Sequence, residues 1–196
     1  MVSHSIARLL FFCACTGLAV TTPFARAAAP ASLAIDPASS SIDVRVTVTI
    51  DSFTAHLTKY QATVTVDPAS HAIQAAALSF NWADLKTGKS ERDEQMNRWQ
   101  DSATYPTGQF TLTRLSTTGN SDVAEATGTL ELHGRTRQLV FPVTLRRNGA
   151  IETVDGETPV DVRDFGLPVI RKFGLLKVDP VVRVRFHLQG TLPSGS

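Results

Sequence analysis

The sequence predicts an all-β fold, an antiparallel barrel of about eight strands with one short helix. Two long segments, residues 42–50 and residues 182–189, alternate apolar and polar side chains, which is typical of strands that bury one face. Weaker copies of this period recur between them. About eight strands is the number at which a closed barrel first has room inside for side chains or one ligand.

The first residues are expected to be a secretion signal. Arg8 precedes an apolar run from Leu9 to Val20 that is too short to span a bilayer, and Ala25-Arg26-Ala27 fits the cleavage rule of signal peptidase. We therefore expect a signal peptide over residues 1–27, a leader over residues 28–34 and a barrel domain over residues 35–193. The mature protein is then expected in the periplasm, without a permanent membrane span.

Removal of this segment excludes several classes of function. Both cysteines, Cys13 and Cys15, lie within it, so the mature chain has no disulfide, no thiolate nucleophile and no cysteine metal site. The segment also contains two basic residues, Arg8 and Arg26, and no acidic ones. The mature chain therefore keeps 17 of the 19 basic side chains and all 18 acidic ones. This balance argues against a nucleic-acid partner. No cofactor and no metal site are expected.

Three strands are expected before the helix. Asp36-Pro37 and the serines that follow form a turn into the first strand. A second strand over residues 53–67 carries its apolar side chains on one face, and Asp67-Pro68 then forms a turn. A third strand covers residues 72–82.

The only expected helix covers residues 90–100. Ser90 and Asp93 have the spacing of a capping box, and Met96 and Trp99 lie on one face at i, i+3. Strands are then expected over residues 109–115, 123–132, 138–146, 151–162 and 181–192, with a long loop over residues 165–179.

Side-chain size leaves open whether the barrel is hollow or packed. Small residues occupy positions on the apolar face of the expected strands, at Ala62, Ala76, Ala124, Ala126 and Gly128. They would leave unfilled volume in one part of the barrel, or they would pack against large residues across a tapered interior.

An ordered set of motifs resembles the YceI-like family. The motifs are Ile35-Asp36-Pro37, Arg92-Asp93 with Tyr105-Pro106, residues 128–136 and residues 161–166. The resemblance covers essentially the whole mature chain. It implies a secreted lipocalin-like barrel whose internal channel binds a polyisoprenoid, such as a prenylated quinone or a polyprenyl phosphate.

The chain departs from the family pattern after the first strand. Alanines such as Ala55 and Ala62 stand where the family usually has glycine, and their methyl groups would narrow the channel. The loop over residues 167–177 is also unusually apolar.

The expected channel residues are mainly aromatic or small. Trp82, Met96 and Trp99 are expected at the barrel mouth, where adaptable side chains suit a lipid. Head-group candidates are Arg171 and Lys172 in the long loop, or Arg92 and Arg98 on the helix. The complete expected ligand-binding set is Tyr60, Ala62, Phe80, Trp82, Met96, Trp99, Phe110, Ala126, Phe141, Phe165, Arg171, Phe173 and Phe186.

No catalytic residues are expected. The mature histidines have no metal-binding spacing, and the chain has no nucleophile-elbow or phosphate-binding glycine motif. Two alternatives to a lipid carrier stay open, a packed β-scaffold that binds another envelope protein and a barrel enzyme that acts on a lipid-like substrate. The sequence also leaves a homodimer open.

Overall fold

The computed structural model describes residues 29–49, 51–117, 119, 122–172 and 176–192. The signal and the start of the leader, which the sequence predicts, lie outside the described residues. Within these ranges the one α-helix is α1 (Ser90–Gln100). The strands are β1 (Ala31–Ser32), β2 (Ala34–Ile35), β3 (Ser41–Val48), β4 (Asp51–Leu57), β5 (Gln61–Val66), β6 (Ile73–Asn81), β7 (Leu85–Lys86), β8 (Thr107–Thr117), β9 (Val123–Leu132), β10 (Arg135–Asn148), β11 (Ile151–Asp161), β12 (Arg171–Lys172), β13 (Leu176–Lys177) and β14 (Val181–Thr191).

The predicted all-β fold is confirmed. One curled antiparallel sheet has the strand order β1-β5-β6-β8-β9-β10-β11-β14-β3-β4-β7, with β2 also paired to β14, while β12 and β13 form a separate hairpin. Within the described ranges, no pairing joins the β1–β5 edge to the β4–β7 edge. The barrel is therefore a strongly curled sheet rather than a closed ring of hydrogen bonds.

Alternation decides which face of the sheet lies inside. Val44 pairs with Val184 on the inner face, whereas their neighbours Arg45 and Arg183 pair on the outer face and are exposed. A one-residue shift in pairing would turn the apolar side chains outward, so the sequence specifies this register strongly.

The predicted strand over residues 53–67 is wrong, because the structure has two strands there. β4 ends at Leu57, β5 begins at Gln61, and the chain between them is not strand. The apolar phase changes from odd positions up to Leu57 to even positions from Tyr60, and one regular strand cannot keep both sets on the same face. The helix consequently follows four long strands instead of three, and the described part of the sheet has nine strands of six or more residues.

The segment predicted as a long loop contains short strands and begins at the end of a 3-10 helix. Residues 162–165 form a 3-10 helix, in which Asp161 accepts a hydrogen bond from the backbone N–H of Arg163. The short β12–β13 hairpin follows. Thr49 and Lys177 then join this hairpin to the end of β3, because the N–H of Thr49 donates to the Lys177 carbonyl at 3.1 Å.

The helix has the predicted bounds but a different cap. Lys89 occupies the N-cap position without a side-chain hydrogen bond. Asp93 Oδ1 instead accepts hydrogen bonds from Thr87 N at 2.8 Å and from Thr87 Oγ1 at 2.6 Å. Asp93 therefore holds the loop before the helix, and the predicted partnership with Ser90 is wrong.

Asp93→Ala should lower the free energy of unfolding by about 1–2 kcal/mol, since it removes a charged acceptor that serves two donors. For a chain of this size we expect the melting temperature to fall by roughly 2–8 °C. Glu94→Ala is the matched control, because Glu94 makes only an exposed ion pair with Arg98 at 3.6 Å. Equal melting temperatures for the two variants would contradict the role of Asp93 in holding the loop before the helix.

Candidate functional site

The curled sheet encloses a cavity of about 730 Å³. Of the described residues that line it, all are apolar except Asp51, Arg92, Gln95, Thr158 and Asp179. Inner-face side chains such as Val44 and Val184 are only half-buried although they point into the barrel. Their remaining exposure faces the cavity, so the interior is hollow at the middle of β3 and β14.

Most of the aromatic residues predicted for the channel lie on the wall of this cavity. The predicted residues that line it are Phe80, Trp82, Met96, Trp99, Phe110, Ala126, Phe141 and Phe186. Phe141 lies between two others, with ring centroids 5.7 Å from Phe110 and 6.1 Å from Phe186. Such separations are typical of favourable tilted and edge-to-face aromatic pairs.

Three other predicted residues, Phe165, Arg171 and Ala62, do not line the cavity. Phe165 is only 1% exposed and packs in the core, where its carbonyl accepts a hydrogen bond from His133 Nδ1 at 3.1 Å. Arg171 is exposed on the β12–β13 hairpin, and Ala62 lies opposite Leu78 in the β5–β6 pair. Phe173 lies outside the described residues.

Tyr60 packs against the core instead of the cavity, just before β5. Its hydroxyl oxygen is buried and has no hydrogen-bond partner among the described residues. Burial of this group raises the pKa of Tyr60, because desolvation disfavours the phenolate.

Glycines on neighbouring strands give three phenylalanine rings their positions. Phe80 covers Gly108, Phe110 covers Gly128, and Phe186 covers Gly156, and a Cβ added to any of these glycines would lie 2.3–2.4 Å from a ring carbon. Of the two alternatives left open for Gly128, packing against a large residue is the one observed, because Phe110 fills the space beside it.

The small alanines have two different environments. Ala76 and Ala126 line the cavity, whereas Ala124 does not. Ala124 and Ala126 both pack in a buried cluster with Phe141 and Val143. The hollow and packed alternatives thus both hold, each in a different part of the barrel.

One end of the cavity is built by α1 and by residues 167–170. Trp99 Nε1 donates a hydrogen bond to the Pro168 carbonyl at 2.8 Å, which joins the helix to that segment. Asp51, Gln95 and Asp179 are exposed although they line the cavity. These polar side chains mark the opening of an otherwise apolar interior.

Sequence reasoning missed the aliphatic part of the wall. Val44, Val184, Leu167 and Val169 line the cavity, but the predicted set favoured aromatic and small residues. The alternation in β3 and β14 already placed the two strand valines on the inner face, so this signal was present in the sequence.

We also searched the described part of the chain for a metal site, a membrane-spanning helix and histidines at the cavity. It contains no group of three or more His, Cys, Asp or Glu side chains that could hold a metal ion. It also has no helix that is long and apolar enough to cross a membrane. His56 and His187 pair with Asp43 and Asp155 at 2.7 Å, away from the cavity wall.

Solved structures share this architecture. BcnA from Burkholderia cenocepacia is 26% identical, with a TM-score of 0.71 over 80% of this chain and 99% of that chain. A polyisoprenoid binding domain from Saccharophagus degradans, implicated in plant cell wall breakdown, is 19% identical, with a TM-score of 0.66 over 83% of this chain and 99% of that chain. A Campylobacter jejuni YCEI protein is 16% identical, with a TM-score of 0.62 over 71% and 85%. The last two similarities concern the fold alone.

Curated relatives and a family model agree with the resemblance seen in the motifs. The UPF0312 proteins of Pseudomonas savastanoi pv. phaseolicola and Pseudomonas syringae pv. syringae are 28% identical over 116 residues, or 55% of this chain. The match spans 60% of the length of those proteins. A model of the YceI-like domain matches residues 33–190. Because this match covers most of the chain, the protein belongs to the YceI-like family.

Proposed function

We propose that this protein binds an amphiphilic polyisoprenoid lipid in its cavity and carries or stores that lipid in the periplasm. The observation that supports this most directly is the cavity of about 730 Å³, whose described wall is apolar except for five residues. Small-molecule sites commonly have volumes of roughly 300–1,000 Å³ and mainly apolar walls with a few polar groups. A prenylated quinone or a polyprenyl phosphate has the matching chemistry, a hydrocarbon tail with one polar end.

Burial of the tail supplies enough free energy for binding. Each methylene-sized group contributes about 0.8 kcal/mol, so one isoprene unit contributes roughly 3–4 kcal/mol before ordering costs. A few buried units therefore give tight binding. The head group would lie at the polar opening, near Asp51, Gln95 and Asp179.

A structural neighbour and the cavity itself favour a lipid carrier over a packed scaffold or an enzyme. One structural neighbour is described as a polyisoprenoid binding domain. A packed scaffold would not keep a cavity of this size, and no histidine lines the wall formed by the described residues. We therefore expect binding without catalysis.

Tryptophan fluorescence tests the proposal, because the only two tryptophans, Trp82 and Trp99, both line the cavity. A tetraprenyl naphthoquinone should quench their emission saturably, and Trp99→Phe should leave the quenching that comes from Trp82. The same quinone ring without a tail is the control and should give no saturable quenching. Unchanged emission, together with no polyprenyl lipid in organic extracts of protein from its native host, would contradict the proposal.

A further inference from the structure

Arg92 is the one cationic side chain that the described residues place on the cavity wall. It lies in the first turn of α1, and its Cζ atom is 4.0 Å from the centre of the Phe53 ring in β4. A guanidinium over an aromatic face is attracted by the ring and is held in a defined plane. Arg92 is half-buried, unlike the exposed Arg98 on the same helix.

The guanidinium of Arg92 has no polar partner in the described part of the chain. No carboxylate lies within 4.0 Å of it and no side-chain or backbone acceptor receives its N–H groups, whereas Arg98 pairs with Glu94 at 3.6 Å. A guanidinium carries five N–H donors and no acceptor. Stacking on Phe53 leaves the donors at its edge available to a ligand oxygen.

The other charged residues on the cavity wall restrict which kind of ligand oxygen Arg92 can bind. Asp51 and Asp179 line the same cavity, so two carboxylates accompany one guanidinium. A diphosphate would bring further negative charge to a wall that carries two carboxylates and one guanidinium, and like charges repel. A carbonyl oxygen accepts the same hydrogen bonds from Arg92 without this repulsion. Gln95, at the opening, adds an uncharged amide donor and acceptor.

We propose that Arg92 anchors the head group of the bound lipid, and that this head group is an uncharged acceptor such as a quinone carbonyl. This inference rests on the proposed lipid-binding function and concerns which polyisoprenoid the cavity takes. Phe53 positions the guanidinium, and the apolar wall accepts the tail.

The test compares three ligands of matching tail length by titration calorimetry at detergent concentrations below the micelle threshold. The ligands are a tetraprenyl naphthoquinone, a tetraprenyl diphosphate and phytane, a branched hydrocarbon without a head group. The full chain should bind the quinone more tightly than the diphosphate. Arg92→Gln should weaken quinone binding by about tenfold, which is the scale of one hydrogen bond to a charged group. Its affinity for phytane should not change.

Arg98→Gln is the matched control, because Arg98 belongs to the same helix but does not line the cavity. It should leave all three affinities unchanged. If Arg92→Gln fails to bind phytane, its fold is impaired and Arg92→Lys replaces it. That variant keeps the charge, loses the planar donor array and should weaken quinone binding by about threefold.

Two results would overturn the head-group assignment and leave lipid binding intact. One is equal quinone affinity for the wild-type protein and the Arg92 variant. The other is tighter binding of the diphosphate than of the quinone. A wild-type protein that binds neither the quinone nor phytane would overturn the proposed function as well.

Discussion

Val184→Phe should lower the affinity for a tetraprenyl quinone by about a hundredfold and leave the fold intact. Val184 lies on the inner face of β14, paired with Val44 and Thr158, and its half-buried side chain borders the cavity. The added ring would occupy space that one isoprene unit needs. Loss of that unit costs about 3 kcal/mol of burial, which corresponds to roughly a hundredfold in the dissociation constant.

Val140→Phe is the matched control for this variant. Val140 lies on the outer face of β10 and is 55% exposed, so the same substitution there does not reach the cavity. Quinone titrations and thermal melts of both variants make the comparison. Unchanged affinity of Val184→Phe, or a fall in its melting temperature like that of an overpacked core, would contradict a hollow interior at this position.

The sequence predicts the fold well because alternation is a local signal. The strand over residues 123–132 and the helix over residues 90–100 have the predicted bounds. The break between β4 and β5 was also present, as a change of apolar phase between Leu57 and Tyr60. It was missed because the residues on either side have strand-like composition, so only the phase marks the boundary.

The site depends on long-range placement, which local patterns do not contain. Phe165 and Phe186 are equivalent as residue types, but Phe165 is enclosed in the core while Phe186 borders the cavity. Arg92 and Arg171 are likewise both cations near apolar residues. Arg92 lines the cavity because the fold places α1 beside Phe53, whereas Arg171 is exposed. No local pattern in the sequence distinguishes the two.

The pairing of glycines with phenylalanines could not be predicted either, because it requires the register between strands. Gly156 is directly opposite Phe186, and Gly108 is directly opposite Phe80. In each pair, the ring uses the space that the missing side chain leaves. The large residues on the inner face therefore lean against the sheet and leave the centre of the barrel open.

This arrangement predicts that Gly128→Ala is destabilising although alanine is the smallest possible change. The new Cβ would lie 2.3 Å from Phe110 Cζ and 2.7 Å from the backbone oxygen of Thr111. The ring must then move toward the cavity, and the strand must shift to relieve the backbone contact. We expect the free energy of unfolding to fall by about 1–3 kcal/mol, which corresponds to a melting temperature lower by roughly 2–12 °C.

A double-variant cycle separates the ring contact from the backbone contact. Phe110→Leu removes the ring, so Gly128→Ala should cost less in that background than in the wild-type protein, by about 0.5 kcal/mol or more. The destabilisation by Gly128→Ala that remains in the Phe110→Leu background measures the contact with the Thr111 oxygen. Thermal melts of the four proteins give both terms. If Gly128→Ala melts like the wild type, or costs the same with and without the ring, Phe110 does not depend on Gly128 for its place on the wall.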